Sequence, residues 1–162
     1  FFRFKIFTKK KFKKNFYKKY FINKFYLPKI NLNFSKYLIK LANTSIDISD
    51  GLLTDLNKMI NAQQISSEIY YDKIPISSKL NDFLFRNSLK KNKYIFNGDD
   101  YQILFTSNKS NRNQIQNISK ITKTKISRIG KIIPKKKFKI RLLNGNKLLK
   151  MTKIHGYEHV FT

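Results

Sequence analysis

Carboxylate side chains gather in two short segments of a chain that is otherwise strongly basic. Only nine of the 162 residues are Asp or Glu, against thirty-five Lys and Arg. Five of these nine acids lie in IDISDGLLTDL, residues 46–56, and NGDDY, residues 97–101. Paired carboxylates beside glycine, in a chain with a net charge of +26, indicate a cation site or a site for a phosphate together with a cation.

The first acidic segment, residues 46–56, combines the groups that a phosphate-bound metal ion needs. In an extended strand, Asp47 and Ser49 project to the same side, and Asp50 follows at a turn. Gly51 permits close approach of a ligand, and the helix predicted after it offers unpaired N–H groups to an anion. Because Mg²⁺ prefers a few carboxylates together with water and phosphate oxygens, this mixture suits Mg²⁺ carried by a nucleotide.

A purely structural interpretation of the same segment stays open. Ser49 or Asp50 can serve only as the N-cap of the following helix, a role worth about 1 kcal/mol. Asp50-Gly51 can equally be only a turn. Asp55 lies five residues beyond Asp50, close to the opposite face of the predicted helix, so we expect its carboxylate to be solvated.

The second acidic segment, residues 97–101, precedes a predicted strand. Adjacent side chains of an extended segment diverge, so Asp99 can face a ligand while Asp100 braces the backbone, or the reverse. As a structural alternative, the composition of this segment is typical of a turn. The chain has neither a Gly-rich phosphate loop nor a Gly-x-Ser-x-Gly motif, so no common nucleotide-binding or hydrolase signature competes with these two segments.

Composition limits the remaining classes of protein. A hydrophobic content of 41%, including 15% aromatic residues, is sufficient for one packed domain. The absence of cysteine excludes disulfides and thiolate metal sites. No apolar run approaches the roughly 18 residues of a membrane span, and Lys or Arg interrupts every apolar stretch near the start, so we expect a cytoplasmic protein.

The positive charge raises a second class of function, a basic nucleic-acid-binding or ribosome-associated protein. Lys, Asn, Ile, Phe and Tyr are abundant together, and all are encoded by AT-rich codons, so a biased genome explains the same composition without a partner. We therefore expect no nucleic-acid partner. Binding that weakens steeply with added salt would favour the alternative.

The elements that must position the acidic segments follow from hydrophobic spacing. Residues 1–26 form a basic and aromatic leading segment, a remnant of another domain or a linker, whose pattern fits a strand or a helix. Leu27-Pro28 marks the start of a domain over residues 27–162, which closes with a hairpin at Asn144-Gly145. Helices and strands alternate in it, so we predict an α+β fold with a mixed β-sheet and packed helices. The predicted helices cover residues 34–43, 51–62, 77–89 and 110–118, and the predicted strands cover residues 45–49, 68–72, 101–106, 125–133, 138–143 and 147–151.

Five short sequences follow one another along the chain: IDISDGL at 46–52, DKIPIS at 72–77, NGDDYQILFT at 97–106, IG at 129–130 and GYEH at 156–159. Their order resembles that found in thiamine-monophosphate kinase. Over about residues 20–161, the chain resembles the C-terminal half of that family, which belongs to the aminoimidazole-ribonucleotide-synthetase-like superfamily. The resemblance implies the C-terminal domain of that fold and an ATP-dependent kinase that converts thiamine monophosphate to thiamine diphosphate.

The resemblance also implies roles for individual residues. Asp47 and Asp50 would bind Mg²⁺, Ser49 would contact ATP, and Asp99 and Tyr157 would contact thiamine monophosphate. No residue is assigned as a catalytic acid or base, because phosphoryl transfer depends mainly on positioning and on neutralising charge.

Departures from the family pattern bear on activity. Asp99 stands where the family usually has Glu, so its shorter side chain lengthens the substrate contact or requires a water, and Asn97 replaces a Gly. The family's N-terminal domain, with most of the Mg²⁺-binding aspartates and the main contact of the homodimer, is not in this chain, and residues 1–19 contain no acid to replace it. We therefore expect that the chain alone is not a competent kinase. A fragment, one part of a split enzyme and a decayed copy are the alternatives.

Overall fold

The computed structural model describes residues 15–28, 32–91, 98 and 101–149, and predictions for other residues lie outside this part of the chain. Five α-helices and six strands lie within it, and none of these helices is long and apolar enough to cross a membrane. The helices are α1 (Asn15–Tyr26), α2 (Leu32–Leu41), α3 (Leu52–Ile60), α4 (Ser78–Arg86) and α5 (Arg112–Ile121). The strands are β1 (Thr44–Asp47), β2 (Ile65–Tyr70), β3 (Ile103–Thr106), β4 (Gly130–Pro134), β5 (Ile140–Asn144) and β6 (Lys147–Leu148).

The described strands form two sheets. β1 and β3 pair antiparallel, with Asp47 opposite Ile103. The second sheet has the order β4-β2-β5-β6, in which β2 is antiparallel to β4 but parallel to β5, and β6 is antiparallel to β5. This mixed pairing with packed helices confirms the predicted α+β class.

Helix α3 supplies the centre of the main core. Its buried leucines and isoleucine recur at the spacing of one helix face, and they are Leu52, Leu53, Leu56 and Ile60. They pack with Ile48, which follows β1, and with Ile69 of β2 and Leu142 of β5. Because Ile48 is anchored in this core, its sequence neighbours Asp47 and Ser49 are turned to the surface, as the predicted alternation requires.

Helix α1 packs on helix α4. Tyr17 of α1 is buried edge-on against Phe83 of α4, with 5.5 Å between the ring centroids. The Tyr17 hydroxyl donates to Asp82, whose other oxygen accepts from Arg86 Nε at 2.8 Å. Residues 15–26 of the leading segment are therefore helical, which settles the choice between strand and helix for this part. The division into domains at residue 26 stays a prediction.

Strand β2 begins three residues before the predicted start at Glu68. The reason is that Ser66, whose residue type is typical of a loop, is buried in the strand. Its hydroxyl donates to the carbonyl oxygen of Phe138 at 2.6 Å and accepts the N–H of Lys136 at 2.9 Å. Two residues about seventy positions away, Lys136 and Phe138, thus satisfy the hydrogen-bonding capacity of the buried hydroxyl.

The predicted closing hairpin is present, but its loop is one residue later than predicted. Asn144 pairs with Lys147, which leaves Gly145 and Asn146 as the two-residue loop. Gly145 has a φ of +57°, a conformation that glycine adopts without the steric cost of a Cβ.

Candidate functional site

A single buried carboxylate holds the loop between β1 and α3, residues 49–51. Asp55 Oδ2 accepts the backbone N–H groups of Ser49, Asp50 and Gly51 at 2.9, 2.9 and 3.1 Å. Asp55 is only 1% exposed, so the expectation that it is solvated is wrong. The chain folds back over the first turn of α3 and offers its unpaired N–H groups to this carboxylate, which offsets the cost of burying it.

The capping interpretation of Ser49 and Asp50 does not hold. The N-cap of α3 is Gly51, and no side chain makes a capping hydrogen bond there. Gly51 has φ 133° and ψ 150°, a region that is essentially restricted to glycine. The side chains of Ser49 and Asp50 are therefore not used to start the helix.

The carboxylate of Asp50 is paired with a lysine of α3. Lys58 Nζ donates to Asp50 Oδ2 and also lies 3.3 Å from Asp55 Oδ1. The hydrogen bond to Asp50, more than the charge of Asp55, raises the pKa of Lys58 above its ordinary value. Asp55 Oδ1 is buried and has no hydrogen bond, so within the described part of the chain the Lys58 ammonium offsets its charge. Ser49 Oγ lies 3.4 Å from Asp50 Oδ1.

The second acidic segment reaches this loop at Gly98. A Cβ placed on Gly98 would lie 1.9 Å from the carbonyl oxygen of Ser49 and 2.9 Å from the carbonyl carbon of Asp50. The N–H of Tyr101 donates to the carbonyl oxygen of Ile48 at 3.0 Å and so prolongs the pairing of β1 with β3. The two acidic segments that the sequence singles out are therefore in contact through their backbones.

The predicted site residues fall into two groups. Asp47 and Ser49 are exposed and the Asp50 side chain is 26% exposed, all beside the loop that Asp55 holds. Asp99 and Tyr157 lie outside the described residues, so their assignment to the substrate stays a prediction.

The oxygen donors of the loop suit a hard cation such as Mg²⁺. Asp47 and Asp50 supply carboxylates, Ser49 supplies a hydroxyl, and the Lys58 ammonium beside Asp50 shows that positive charge fits there. Among residues 15–28, 32–91, 98 and 101–149, no group of three or more His, Cys, Asp or Glu side chains could hold a metal ion. An ion at this place would need further oxygen ligands, for example from phosphate or water.

A cleft of about 1890 Å³, lined by both apolar and polar residues, lies beside the same elements but does not include the carboxylates. Ile48, Leu52 and Leu104 line it, whereas Asp47, Ser49 and Asp50 do not. This follows from the alternation of the strand, which turns Ile48 inward and its neighbours outward. The candidate site is therefore on an open polar surface that a charged ligand or another domain can reach.

Comparison with known proteins identifies the family. Residues 23–143 match the family described as AIR synthase related protein, C-terminal domain. The chain belongs to this family. Thiamine-monophosphate kinase of Aquifex aeolicus (strain VF5) is 34% identical over 95 residues, which cover 58% of this chain and 31% of that protein. The same enzyme of Buchnera aphidicola subsp. Acyrthosiphon pisum is 39% identical over 98 residues, which cover 60% of this chain and 30% of that protein.

A solved structure has a similar fold. The structure of AaThiL complexed with AMPPCP and TMP aligns with a TM-score of 0.71 and 22% identity, covering 98% of this chain and 46% of that one. The matched part is about a third of the length of the curated relatives and about half of this structure. The resemblance to thiamine-monophosphate kinase seen in the sequence is thereby confirmed.

Sequence reasoning missed Asp55 and Lys58. Counting from Asp50 puts Asp55 on the far face of the helix, but counting from Leu52 and Met59 puts it beside the apolar stripe of α3. The sequence signal for the buried role of Asp55 is its position: it lies at the edge of an apolar stripe, four residues after the glycine that starts the helix. Lys58 could be found only after Asp55 was placed.

Proposed function

We propose that the chain is the C-terminal part of an ATP-dependent kinase that phosphorylates thiamine monophosphate to thiamine diphosphate. The contact of Gly98 with the backbone of Ser49 and Asp50 is the observation that supports it, because it joins the segment proposed for the metal to the segment proposed for the substrate. The chain's relatives are thiamine-monophosphate kinases, and the similar structure holds AMPPCP and TMP.

In this proposal, the loop after β1 is the metal and nucleotide side. Asp47 and Asp50 hold Mg²⁺ and Ser49 contacts ATP, while Asp99 and Tyr157 contact thiamine monophosphate. Mg²⁺, when bound, neutralises charge on the phosphate groups. Asp55 keeps the backbone of residues 49–51 in one conformation through three hydrogen bonds, so that the loop needs little reorganisation when a ligand arrives.

The proposed transfer forms one bond and breaks one. A phosphate oxygen of thiamine monophosphate bonds to the γ-phosphorus of ATP, and the bond from that phosphorus to the β–γ bridging oxygen breaks, which releases ADP. A phosphate monoester already carries nearly two negative charges at neutral pH, so no strong base has to remove a proton. The chain therefore contributes positioning and charge neutralisation rather than covalent catalysis.

We further propose that the chain does not complete this reaction alone. Two carboxylates and one hydroxyl are too few ligands for the several Mg²⁺ ions that the resemblance implies. The remaining ligands would come from the N-terminal domain, which in the intact enzyme would also carry the homodimer contact. Formation of thiamine diphosphate by the purified 162-residue chain would contradict this proposal.

Metal and nucleotide binding tests the site apart from turnover. We expect the chain to bind Mn²⁺ with AMPPCP, and we expect Asp50→Asn to weaken this binding at least about tenfold. The melting temperature of the Asp50→Asn variant should differ little from that of the unaltered chain, since Asp50 and its partner Lys58 are partly exposed. Binding is measured by the relaxation of water protons by Mn²⁺, and stability is measured by thermal unfolding.

The matched control for this experiment is Asp72→Asn. Asp72 is an exposed acid in the short 3₁₀ helix Tyr71–Lys73, and its substitution removes the same charge outside the loop. It should bind as the unaltered chain does. Equal losses of affinity in both variants, or a loss of affinity in Asp50→Asn matched by a loss of stability, would argue that the site is not there.

A further inference from the structure

We propose that Lys58 competes with the divalent ion at the cation site: its ammonium occupies the place of that ion beside Asp50 and leaves when the ion binds. The inference rests on the proposed function, in which Asp50 is a metal ligand. The chain then carries its own competitor for the metal ion, so its affinity for that ion is lower than the carboxylates alone would give.

The position of the ammonium between two carboxylates carries the inference. Lys58 lies eight residues after Asp50 and three residues after Asp55, so one turn of α3 places its side chain over both. Nζ donates to Asp50 Oδ2 and lies 3.3 Å from Asp55 Oδ1. The cation is thus shared by a partly exposed carboxylate of the candidate site, Asp50, and the buried carboxylate of Asp55.

The buried oxygen gives a second reason for a cation at this place. Asp55 Oδ1 is shielded from solvent and accepts no hydrogen bond, although Oδ2 of the same carboxylate accepts three. A buried carboxylate oxygen without a donor is costly unless positive charge lies near it. Lys58 supplies that charge, and a divalent ion in its place would supply more.

Lys58 is also free to leave. Its side chain is 50% exposed, so little apolar contact is lost when it swings into solvent. The loop does not unfold as a result, because the three hydrogen bonds to Asp55 Oδ2 do not involve Lys58. Lys58 can therefore move away while the loop keeps its conformation, as the replacement of one cation by another requires.

The free energy of replacing Lys58 by a divalent ion determines how much Lys58 lowers the affinity for that ion. A divalent ion at Asp50 must break the ion pair with Lys58, since two positive charges within a few ångströms repel each other. An ion pair as exposed as this one contributes little to stability, but close like charges affect affinity more strongly. We expect removal of the Lys58 charge to strengthen Mn²⁺ binding by about tenfold.

The experiment titrates Mn²⁺ alone into the full chain and its variants and follows the relaxation of water protons. Lys58→Met and Lys58→Gln should both bind about tenfold more tightly than the unaltered chain, and Lys58→Arg should bind about as it does. Lys120→Met is the matched control for net charge, because Lys120 is an exposed lysine in the last turn of α5, as Lys58 is in the last turn of α3. Its affinity should not change.

The outcomes separate this inference from the proposed function. Mn²⁺ binding that is unchanged or weaker in both neutral Lys58 variants overturns the role of Lys58 and leaves the metal site standing. Weaker binding together with a lower melting temperature would mean that Lys58 only supports Asp55. Absence of Mn²⁺ binding in the unaltered chain and in every variant, both with AMPPCP and without it, overturns the metal site itself, and the role of Lys58 with it.

Discussion

Asp55 and Glu68 are both acids that lie beside lysine, yet they stabilise the molecule in different ways. Asp55 accepts three backbone N–H groups and is almost fully buried. Glu68, in the middle of β2, has a side chain 15% exposed that meets Lys131 on β4 at 3.0 Å and Arg141 on β5 at 3.8 Å. One carboxylate binds three backbone N–H groups of a loop, and the other binds side chains across strands that are already paired.

The difference indicates what each carboxylate can determine. The strands beside Glu68 keep their register through their own backbone hydrogen bonds, so the ion pairs of Glu68 add only a small stabilisation between them. Within the described ranges no strand pairs with the three N–H groups of residues 49–51, and Asp55 holds the conformation of this loop. Asp55 therefore holds the shape of the candidate site through its hydrogen bonds to the loop, whereas Glu68, which has more cationic neighbours, does not.

The sharpest test of this comparison is Asp55→Asn. We expect a loss of about 3 kcal/mol in the free energy of unfolding, because charge-assisted bonds to a buried loop are weakened and the contact with Lys58 loses its attraction. Urea unfolding measures it, and Mn²⁺ affinity should fall at the same time. A loss no larger than that of Glu68→Gln would show that the loop does not depend on this carboxylate.

Gly98→Ala tests the same loop from the opposite side and should cost about 2 kcal/mol. The added methyl group would collide with the carbonyl of Ser49, so the loop must shift. Gly145→Ala is the control. Gly145 has a positive φ, but a methyl group added there would meet no atom within 4 Å, so only its backbone strain, about 1 kcal/mol, should be measured.

Amide chemical shifts separate the two glycine variants. Gly98→Ala should move the signals of Ser49 and Asp50, and Gly145→Ala should leave them in place. The contact between the acidic segments would be disproved if both variants left these signals unchanged.

The smallest effect is expected for Glu68→Gln. Ion pairs with exposed partners typically contribute between 0 and about 1 kcal/mol, and salt should reduce the difference from the unaltered chain further. The hydrogen bond to Glu68 raises the pKa of Lys131. An ion pair that raises a lysine pKa stabilises the fold at pH values below the ordinary lysine pKa. This contribution is lost as the pH rises through the pKa of that lysine in the folded protein. The difference in urea midpoint between the two proteins should therefore persist at neutral pH and shrink at strongly alkaline pH.

Local patterns predict the elements that carry the candidate site. The alternation of Ile46 and Ile48 with polar residues gives β1, and the spacing of Leu52 and Leu56 gives α3. These signals suffice because both elements bury one face in the same core, and burial on one face leaves a period in the sequence.

Features that depend on distant partners could not be predicted in this way. The sequence does not show the start of β2, because Ser66 is compatible with a buried strand only through its hydrogen bond to Phe138. β4 covers Gly130–Pro134, so it begins five residues after the predicted start at residue 125 and ends one residue after the predicted end. The sequence places Asp55 in a helix but does not show that the preceding loop turns back onto it. Helical counting gives the direction of a side chain, whereas its partners depend on where the flanking chain goes.

The loop and its carboxylate also differ from the Gly98 contact in how they are expected to form during folding. The hydrogen bonds of Asp55 join residues only four to six positions apart, and the ion pair of Lys58 with Asp50 spans eight. Gly98 meets Ser49 only after a long intervening chain has closed. Because local contacts need little loop closure, the loop of residues 49–51 should organise early, with α3 as its nucleus, and the segment at Gly98 should dock on it later.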